Sequence, residues 1–315
     1  MECLGVSQDA GLTRRGFIAG LAGAVNIGAT LKPVGLSFGT YALWMLRWED
    51  SLELIARTGY DGVEIALMPE WPTTPVRLSA GDRRRLRGML ADLGLALPAL
   101  LDNLQVLHPV QTHAENVERL SRAIELGNEI VPDKPPIFET VLGRKPDEWE
   151  AVKHRMVDEI GDLARKAADG DTVICFKPHV GGAVNNVERS LWLVKQVGSR
   201  YFRCTYDFSH LWLAGHELVT SLQALIPVSP YVHLKDAKPT GDKHEFLLPG
   251  DGPTDYVEMF RQLGQLGYDG YATVEVSAQI HKLPDFQPIS AANVCYERMA
   301  AAFEEAGLPR PSAQR

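Results

Sequence analysis

Between Pro33 and Ala306, short apolar runs alternate eight times with longer runs whose apolar residues recur at helical spacing. A strand buried on both faces reads as a continuous apolar run, and a helix laid over it reads as an amphipathic one. The strand-like runs are Val34 to Phe38, Gly62 to Leu67, Leu95 to Leu101, Pro136 to Thr140, Thr172 to Phe176, Phe202 to Tyr206, Tyr231 to Leu234 and Tyr271 to Val276. The helical runs following them are Leu52 to Thr58, Ser79 to Leu93, His113 to Glu129, Trp149 to Ala168, Asn185 to Val197, Glu217 to Ile226, Asp255 to Leu266 and Ser290 to Ala306. Eight strand–helix pairs in about 275 residues are the content of an α/β fold of one kind, the (β/α)8 TIM barrel. The tetrapeptide Gly-Tyr-Asp-Gly occurs at 59–62 and again at 267–270, each time between a helix and a strand, so the two junctions should share one loop. The barrel is expected over residues 30–308, with a frayed tail at 309–315.

Ahead of the barrel, Thr13-Arg14-Arg15-Gly16-Phe17-Ile18 opens a short Gly/Ala-rich apolar stretch, and Ile27-Gly28-Ala29 offers a cleavage site. Residues 1–29 resemble a bacterial twin-arginine export signal, which implies a periplasmic or otherwise exported mature protein, the alternative being a cytoplasmic one. The formal charge is −8 and no basic run interrupts it, which argues against a nucleic-acid partner. No stretch reaches the ~20 apolar residues of a membrane span. Cys175, Cys204 and Cys295 form no CxxC pair, so they read as buried thiols rather than zinc ligands, the alternative being a Cys175–Cys204 disulfide between strands expected to be neighbours.

In a barrel, residues at the C-terminal ends of all eight strands converge on one mouth, where active sites lie. The later strands end in Glu139, in Lys177 with His179, in Asp207 with His210, in His233 with Lys235 and Asp236, and in Glu275. Successive positions 139, 177, 207, 233 and 275 are 38, 30, 26 and 42 residues apart, about one strand–helix unit each. Charged groups there are costly unless paired or functional. Carboxylates and imidazoles together make a mixed oxygen and nitrogen donor set that suits one divalent ion: Mn²⁺, Co²⁺, Zn²⁺ or Mg²⁺.

Four motifs occur in order: Tyr206-Asp207-Phe208-Ser209-His210, His233-Leu234-Lys235-Asp236, Leu248-Pro249-Gly250-Asp251-Gly252-Pro253 and Val274-Glu275-Val276-Ser277. Together they resemble the xylose isomerase-like TIM barrels, the sugar isomerase and epimerase group, over roughly Pro33 to Ala306. The resemblance implies that Asp207, His233 and Glu275 hold the metal and that His210 meets the substrate. It departs at the fifth strand, where the family's epimerases carry a glutamate and this chain carries Lys177. A lysine ammonium cannot ligate a metal. Glu139 and His179 are the candidates to replace the missing ligand. Lys177 itself is either a second acid–base group or the partner of Glu139 or Asp207.

The resemblance implies a metal-dependent sugar or keto-sugar isomerase or epimerase working through an enediolate, with Glu275, Lys177 and His210 as catalytic candidates. The alternatives are a metal-dependent lyase or hydrolase of modified sugars, and an inactive sugar-binding barrel. His179, His210, Lys235, Glu64, Trp44 and His244 are the candidates for contact with a carbohydrate, and Asp102 with Asn103 could bind hydroxyls. The long segment Asp236 to Asp255 is expected to cover the mouth. A related nuclease activity is disfavoured by the acidic charge and the shortage of histidines. Homo-oligomerisation is open.

Overall fold

A computed structural model of the chain describes residues 31–241 and 243–311. The export segment therefore lies outside the described residues, as do residues 312–315. Eight parallel strands close a barrel: β1 (Gly35–Gly39), β2 (Gly62–Ala66), β3 (Ala96–Leu101), β4 (Ile137–Thr140), β5 (Ile174–Phe176), β6 (Phe202–Asp207), β7 (Tyr231–Leu234) and β10 (Tyr271–Val274). Around the ring they run β1-β10-β7-β6-β5-β4-β3-β2. Two more strands, β8 (Asp236–Thr240) and β9 (Lys243–Leu247), form an antiparallel hairpin outside the ring.

The outer layer consists of α1 (Trp48–Thr58), α2 (Ala80–Asp92), α3 (His113–Ile130), α4 (Trp149–Asp169), α5 (Val187–Val197), α7 (Leu218–Leu225), α8 (Tyr256–Gln265) and α10 (Pro288–Ala306). Two short helices, α6 (Phe208–Leu213) and α9 (Ala278–His281), follow β6 and β10 directly at the mouth. Local chemistry sets the helix starts. Ser79 and Asp82 close a capping box on α2, and Thr112 with Glu115 closes another on α3. Of the two asparagines ahead of α5, Asn186 is the cap, accepting from the Arg189 amide at 2.9 Å.

The repeated tetrapeptide builds the same junction twice. Gly59 and Gly267 both take positive φ, 109° and 70°, ending α1 and α8 in a conformation that costs other residues a Cβ clash. The following tyrosines turn inward: Tyr60 donates to the Ala292 carbonyl at 2.9 Å and Tyr268 to the Tyr271 carbonyl at 2.8 Å. The chain after α10 is tied down rather than frayed as far as Arg310. The Pro309 carbonyl accepts from the Val34 amide at 2.9 Å, and Arg310 reaches Asp61 at 2.8 Å. Cys175, Cys204 and Cys295 are free and buried. Cys204 pairs in register with Phe176, so Cys175 and Cys204 face opposite sides of the sheet. No described helix is long and apolar enough to cross a membrane.

Candidate active site

The strand register decides which ends meet. Asp207 is paired with His233 across β6 and β7, His233 with Thr273 across β7 and β10, and Leu101 with Glu139 across β3 and β4. Alternate residues of each strand point into the ring. Glu64, Glu139, Asp207 and His233 are all essentially without solvent exposure, and Lys177, Lys235 and Glu275 are buried beside them.

At the centre stands Lys177. Its Nζ lies 2.7 Å from Glu275 Oε2, 3.2 Å from His233 Nδ1, 3.8 Å from Glu139 Oε1 and 3.9 Å from Asp207 Oδ2. Lys235 Nζ donates to the same Glu275 oxygen at 2.7 Å, lies 3.2 Å from Asp207 Oδ2 and 3.1 Å from His210 Nε2, and sits over the Phe246 ring. Asp207 uses Oδ1 to accept from the Ser209 amide at 3.1 Å and hydroxyl at 2.6 Å, which starts α6. His210 Nδ1 accepts from the Val180 amide at 3.2 Å, and its ring packs 4.3 Å from that of His179, centroid to centroid.

Charge fixes the protonation states. Burial disfavours the Glu275 carboxylate, but Lys177 and Lys235 outweigh it and hold the group well below the usual range. Burial likewise opposes the Lys177 ammonium, and Glu275, Glu139 and Asp207 outweigh it, so this lysine stays charged. Burial raises Glu139 to about 7. Burial and then Lys235 push His179 down to about 4 and His210 well down, so both are neutral at pH 7. His233 goes the other way: burial lowers it, but the Glu64 carboxylate wins and brings it to about 10.

Above this cluster is a cleft of about 150 Å³, lined by Tyr41, Met68, Leu101, Asn103, Val141, Lys177, His179, Lys235, Phe246, Glu275, Ser277 and Ala278. Every one of these residues lies at or just beyond the C-terminal end of a strand, or on the hairpin. The two sides of the cleft differ. β5, β6, β7 and β10 are contiguous in the ring and carry the lysines, the imidazoles and Glu275. The opposite arc, after β1 to β4, contributes Tyr41, Met68, Leu101, Asn103 and Val141.

The expected site residues thus divide. Lys177, His179, Lys235 and Glu275 line the cleft, and His210, Asp207, His233 and Glu139 stand behind them. Glu64 does not reach it: its Oε2 accepts from Tyr231 at 3.0 Å and pairs with His233 Nε2 at 2.9 Å, so it orients the imidazole instead of meeting a carbohydrate. Trp44 is partly exposed and faces a separate cleft with Thr40, Leu43, Trp48 and Trp71. His244 stands edge-on to Phe246 on the hairpin, and Phe246, not His244, lines the cleft. Asp102 is taken by Arg119, whose Nε lies 2.9 Å away, and of that pair only Asn103 lines the cleft. Met68, Val141, Ser277 and Phe246 were not singled out by the sequence.

Asp207, His233 and Glu275 each bring one donor atom within 4.8 Å of the others, a spacing that can hold a metal ion. The surroundings do not suit one. Lys177 Nζ already contacts His233 Nδ1 and Glu275 Oε2 and stands 3.9 Å from Asp207 Oδ2. A divalent ion bonds such donors at roughly 2.0–2.6 Å, so it would lie against an ammonium with no donor between them. Neither candidate for the fourth ligand joins the triad as a partner: Glu139 turns to Lys177, and His179 Nδ1 accepts from the Gly181 amide at 3.2 Å.

A closed parallel barrel with buried acid, base and cationic groups at its C-terminal mouth is the architecture of the (β/α)8 class. The profile of the family described as xylose isomerase-like TIM barrel matches residues 52–307, and the chain belongs to that family. It is 25% identical over 194 residues to an inosose dehydratase of Klebsiella pneumoniae, a match covering 56% of this chain and 61% of that protein. An inosose dehydratase of Clostridium botulinum is 27% identical over 155 residues, covering 44% and 51%. The chain thus spans between half and two thirds of the length of these relatives. Among solved structures, the probable 3-DHS dehydratase AsbF of Bacillus anthracis superposes with a TM-score of 0.70 at 16% identity, covering 85% of this chain and 99% of that one. An L-ribulose 3-epimerase superposes with a TM-score of 0.67 at 16% identity, covering 87% and 96%. The two likenesses show the shared fold.

Proposed function

We propose that this protein removes a proton next to the carbonyl of a keto-sugar or keto-cyclitol and then expels a neighbouring hydroxyl as water. The observation that carries the reading is the one-sided cleft. Glu275, an ionised carboxylate, shares one oxygen with two ammonium groups on a single arc of the ring. Glu275 takes the α-proton, and the C–H electron pair moves onto the carbonyl oxygen. The ammonium of Lys177 stabilises the negative charge developing there. Lys235 gives a proton to the departing hydroxyl, the C–O bond breaks and water leaves. The proton on Glu275 returns to Lys235 across their 2.7 Å contact, so the site ends as it began. Asn103 and Tyr41 orient hydroxyls from the far arc, while Met68, Leu101 and Phe246 exclude water. No step is routed through a metal.

Exchange by two bases on opposite faces of a substrate needs a base on each arc. Of the far-arc residues that line the cleft, Tyr41 alone is titratable, and burial keeps its phenol protonated, while Glu64 and Glu139 lie behind the lining. The inosose dehydratases among its relatives favour elimination too. An isomerase that moves a proton along one face also fits a single carboxylate base, and the epimerases sharing this fold support that second reading. The export reading of residues 1–29 belongs to the proposal as well, and points to a non-phosphorylated substrate.

The test is a panel of keto-sugars and keto-cyclitols incubated with the protein in D₂O and followed by NMR and mass spectrometry. Loss of water together with solvent deuterium at the α-carbon, abolished in Glu275→Gln, is the expected result. A product of unchanged mass would establish the isomerase. Absence of exchange with every carbonyl compound would overturn both.

A further inference from the structure

We infer that the ammonium of Lys177 is a built-in replacement for the divalent cation of the barrel mouth, so that the wild-type protein takes up no metal there. The three atoms grouped closely enough to bind an ion are the ones that surround Lys177 Nζ. The fourth neighbour, Glu139 Oε1 at 3.8 Å, completes the cage. This lysine side chain is only 3% exposed and comes from β5, between the strands that carry Glu139 and Asp207. It has no salt-bridge partner among the described residues outside these carboxylates.

Glu139 supports the same assignment. Both of its carboxylate oxygens are buried without a hydrogen-bond donor among the described residues, and the nearest cation is Lys177. A buried carboxylate in that position needs positive charge nearby. The ammonium provides a single charge with three directed protons, where a divalent ion would provide two charges and open coordination positions. Lys235 adds a second fixed charge beside Asp207 and Glu275. Two lysines thus deliver the positive charge of one divalent ion in a form that can also donate protons. A substrate oxygen reaching this floor meets hydrogen-bond donors, not a Lewis acid. The assignment concerns the resting protein and does not depend on which sugar reaction follows.

The decisive measurement is the metal content of the full-length protein after incubation with Mn²⁺, Co²⁺ and Zn²⁺ in turn and removal of free ion, read by elemental analysis. The same protocol is applied to Lys177→Glu and Lys177→Gln. Wild type should carry no stoichiometric metal, and its thermal midpoint should be unmoved by these ions or by a chelator. Lys177→Glu should take up about one ion per chain and gain thermal stability from it, because metal binding adds to folding free energy. If Lys177→Glu does not fold, Lys177→Gln, which removes the charge without adding a ligand, should bind measurably more metal than wild type. About one ion per wild-type chain, lost in Asp207→Asn, would overturn the assignment. So would a folded Lys177→Glu protein that binds no more metal than wild type. Because none of these readouts uses turnover, an error in the proposed reaction leaves them unchanged.

Discussion

Glu275 and Lys235 meet at 2.7 Å through the one carboxylate oxygen, Oε2, that also accepts from Lys177. A base that shares its oxygen with the acid beside it can recycle a proton without solvent. Glu275→Gln keeps the shape but removes the base, so turnover should fall by roughly 10²–10⁴-fold with a small change in KM. Lys235→Gln should lower kcat comparably but leave deuterium exchange at the α-carbon measurable, since proton removal precedes departure of the hydroxyl. Equal loss of exchange in both variants would argue against separate roles.

Asp236, next to Lys235, organises the loop at 248–254 that follows the hairpin. Its Oδ2 accepts from the Gly250 amide at 2.8 Å and the Gly252 amide at 3.2 Å, and its Oδ1 from the Thr254 amide at 3.3 Å and the Thr254 hydroxyl. Gly252 packs so close that an added Cβ would stand 2.7 Å from the Asp236 Cβ. Asp236→Ala should cost about 2–4 kcal/mol by stranding these donors, and it should loosen the neighbouring Lys235. Urea unfolding at pH 7 checks the stability. Protease cutting within 248–254 checks the loop.

His281 gives the protein a pH dependence separate from catalysis. Its ring is buried against Tyr41, Trp71 and Phe286, and neither nitrogen has a hydrogen-bond partner among the described residues. Burial first, and then Lys282, lowers it to about 4. A histidine depressed in the folded state contributes its full stability above its unfolded value of about 6.5 and loses it as pH falls toward the folded one. Between pH 6.5 and 4 the loss should reach on the order of 2–3 kcal/mol. His281→Phe should flatten that acid limb, so the stability difference between variant and wild type should shift in the variant's favour as pH falls. Parallel wild-type and variant curves from pH 7 to 4.5 would show that another group sets the limb.

Much of this molecule is written plainly in its sequence. The eight strands are legible because a parallel strand covered on both sides must be apolar, so Ile174-Cys175-Phe176 and Tyr231-Val232-His233-Leu234 stand out. The mouth is legible because a charge ending such a run has few reasons to be there. What the sequence hides is direction. Glu64 is an acidic residue in an apolar strand much as Glu139 is, but the ring places it against His233 and Tyr231, a distance relation that no spacing reveals. Trp44 follows a single 3₁₀ turn after β1, and the chain there sends Tyr41 into the cleft and Trp44 into a separate one. The hairpin is hidden because Lys243-His244-Glu245 reads as a polar loop, although Phe246 beside it lines the cleft. Lys177 was visible as a departure from the family pattern, but its position among the carboxylates and His233 depends on the register of four strands at once.

Arg310 closes the barrel at the face away from the mouth. It donates to Asp61 at 2.8 Å, to the Gly59 carbonyl at 2.6 Å and to the Tyr296 hydroxyl at 3.2 Å, and its guanidinium lies over the Tyr296 ring. Asp61 also accepts from the Leu36 amide at 2.9 Å, so one carboxylate links the chain end to β1. These contacts join the last described residues to the turn after α1, and none of them touches the cleft. Arg310→Ala should therefore destabilise the protein by about 1–3 kcal/mol while leaving kcat and KM for the active substrate unchanged. Removing residues 309–315 should cost more, because the Pro309 carbonyl that pairs with the Val34 amide is lost as well. Thermal midpoints of both variants, measured beside their kinetics, test the division between a stability face and a catalytic face. A fall in kcat for Arg310→Ala with no change in midpoint would contradict it.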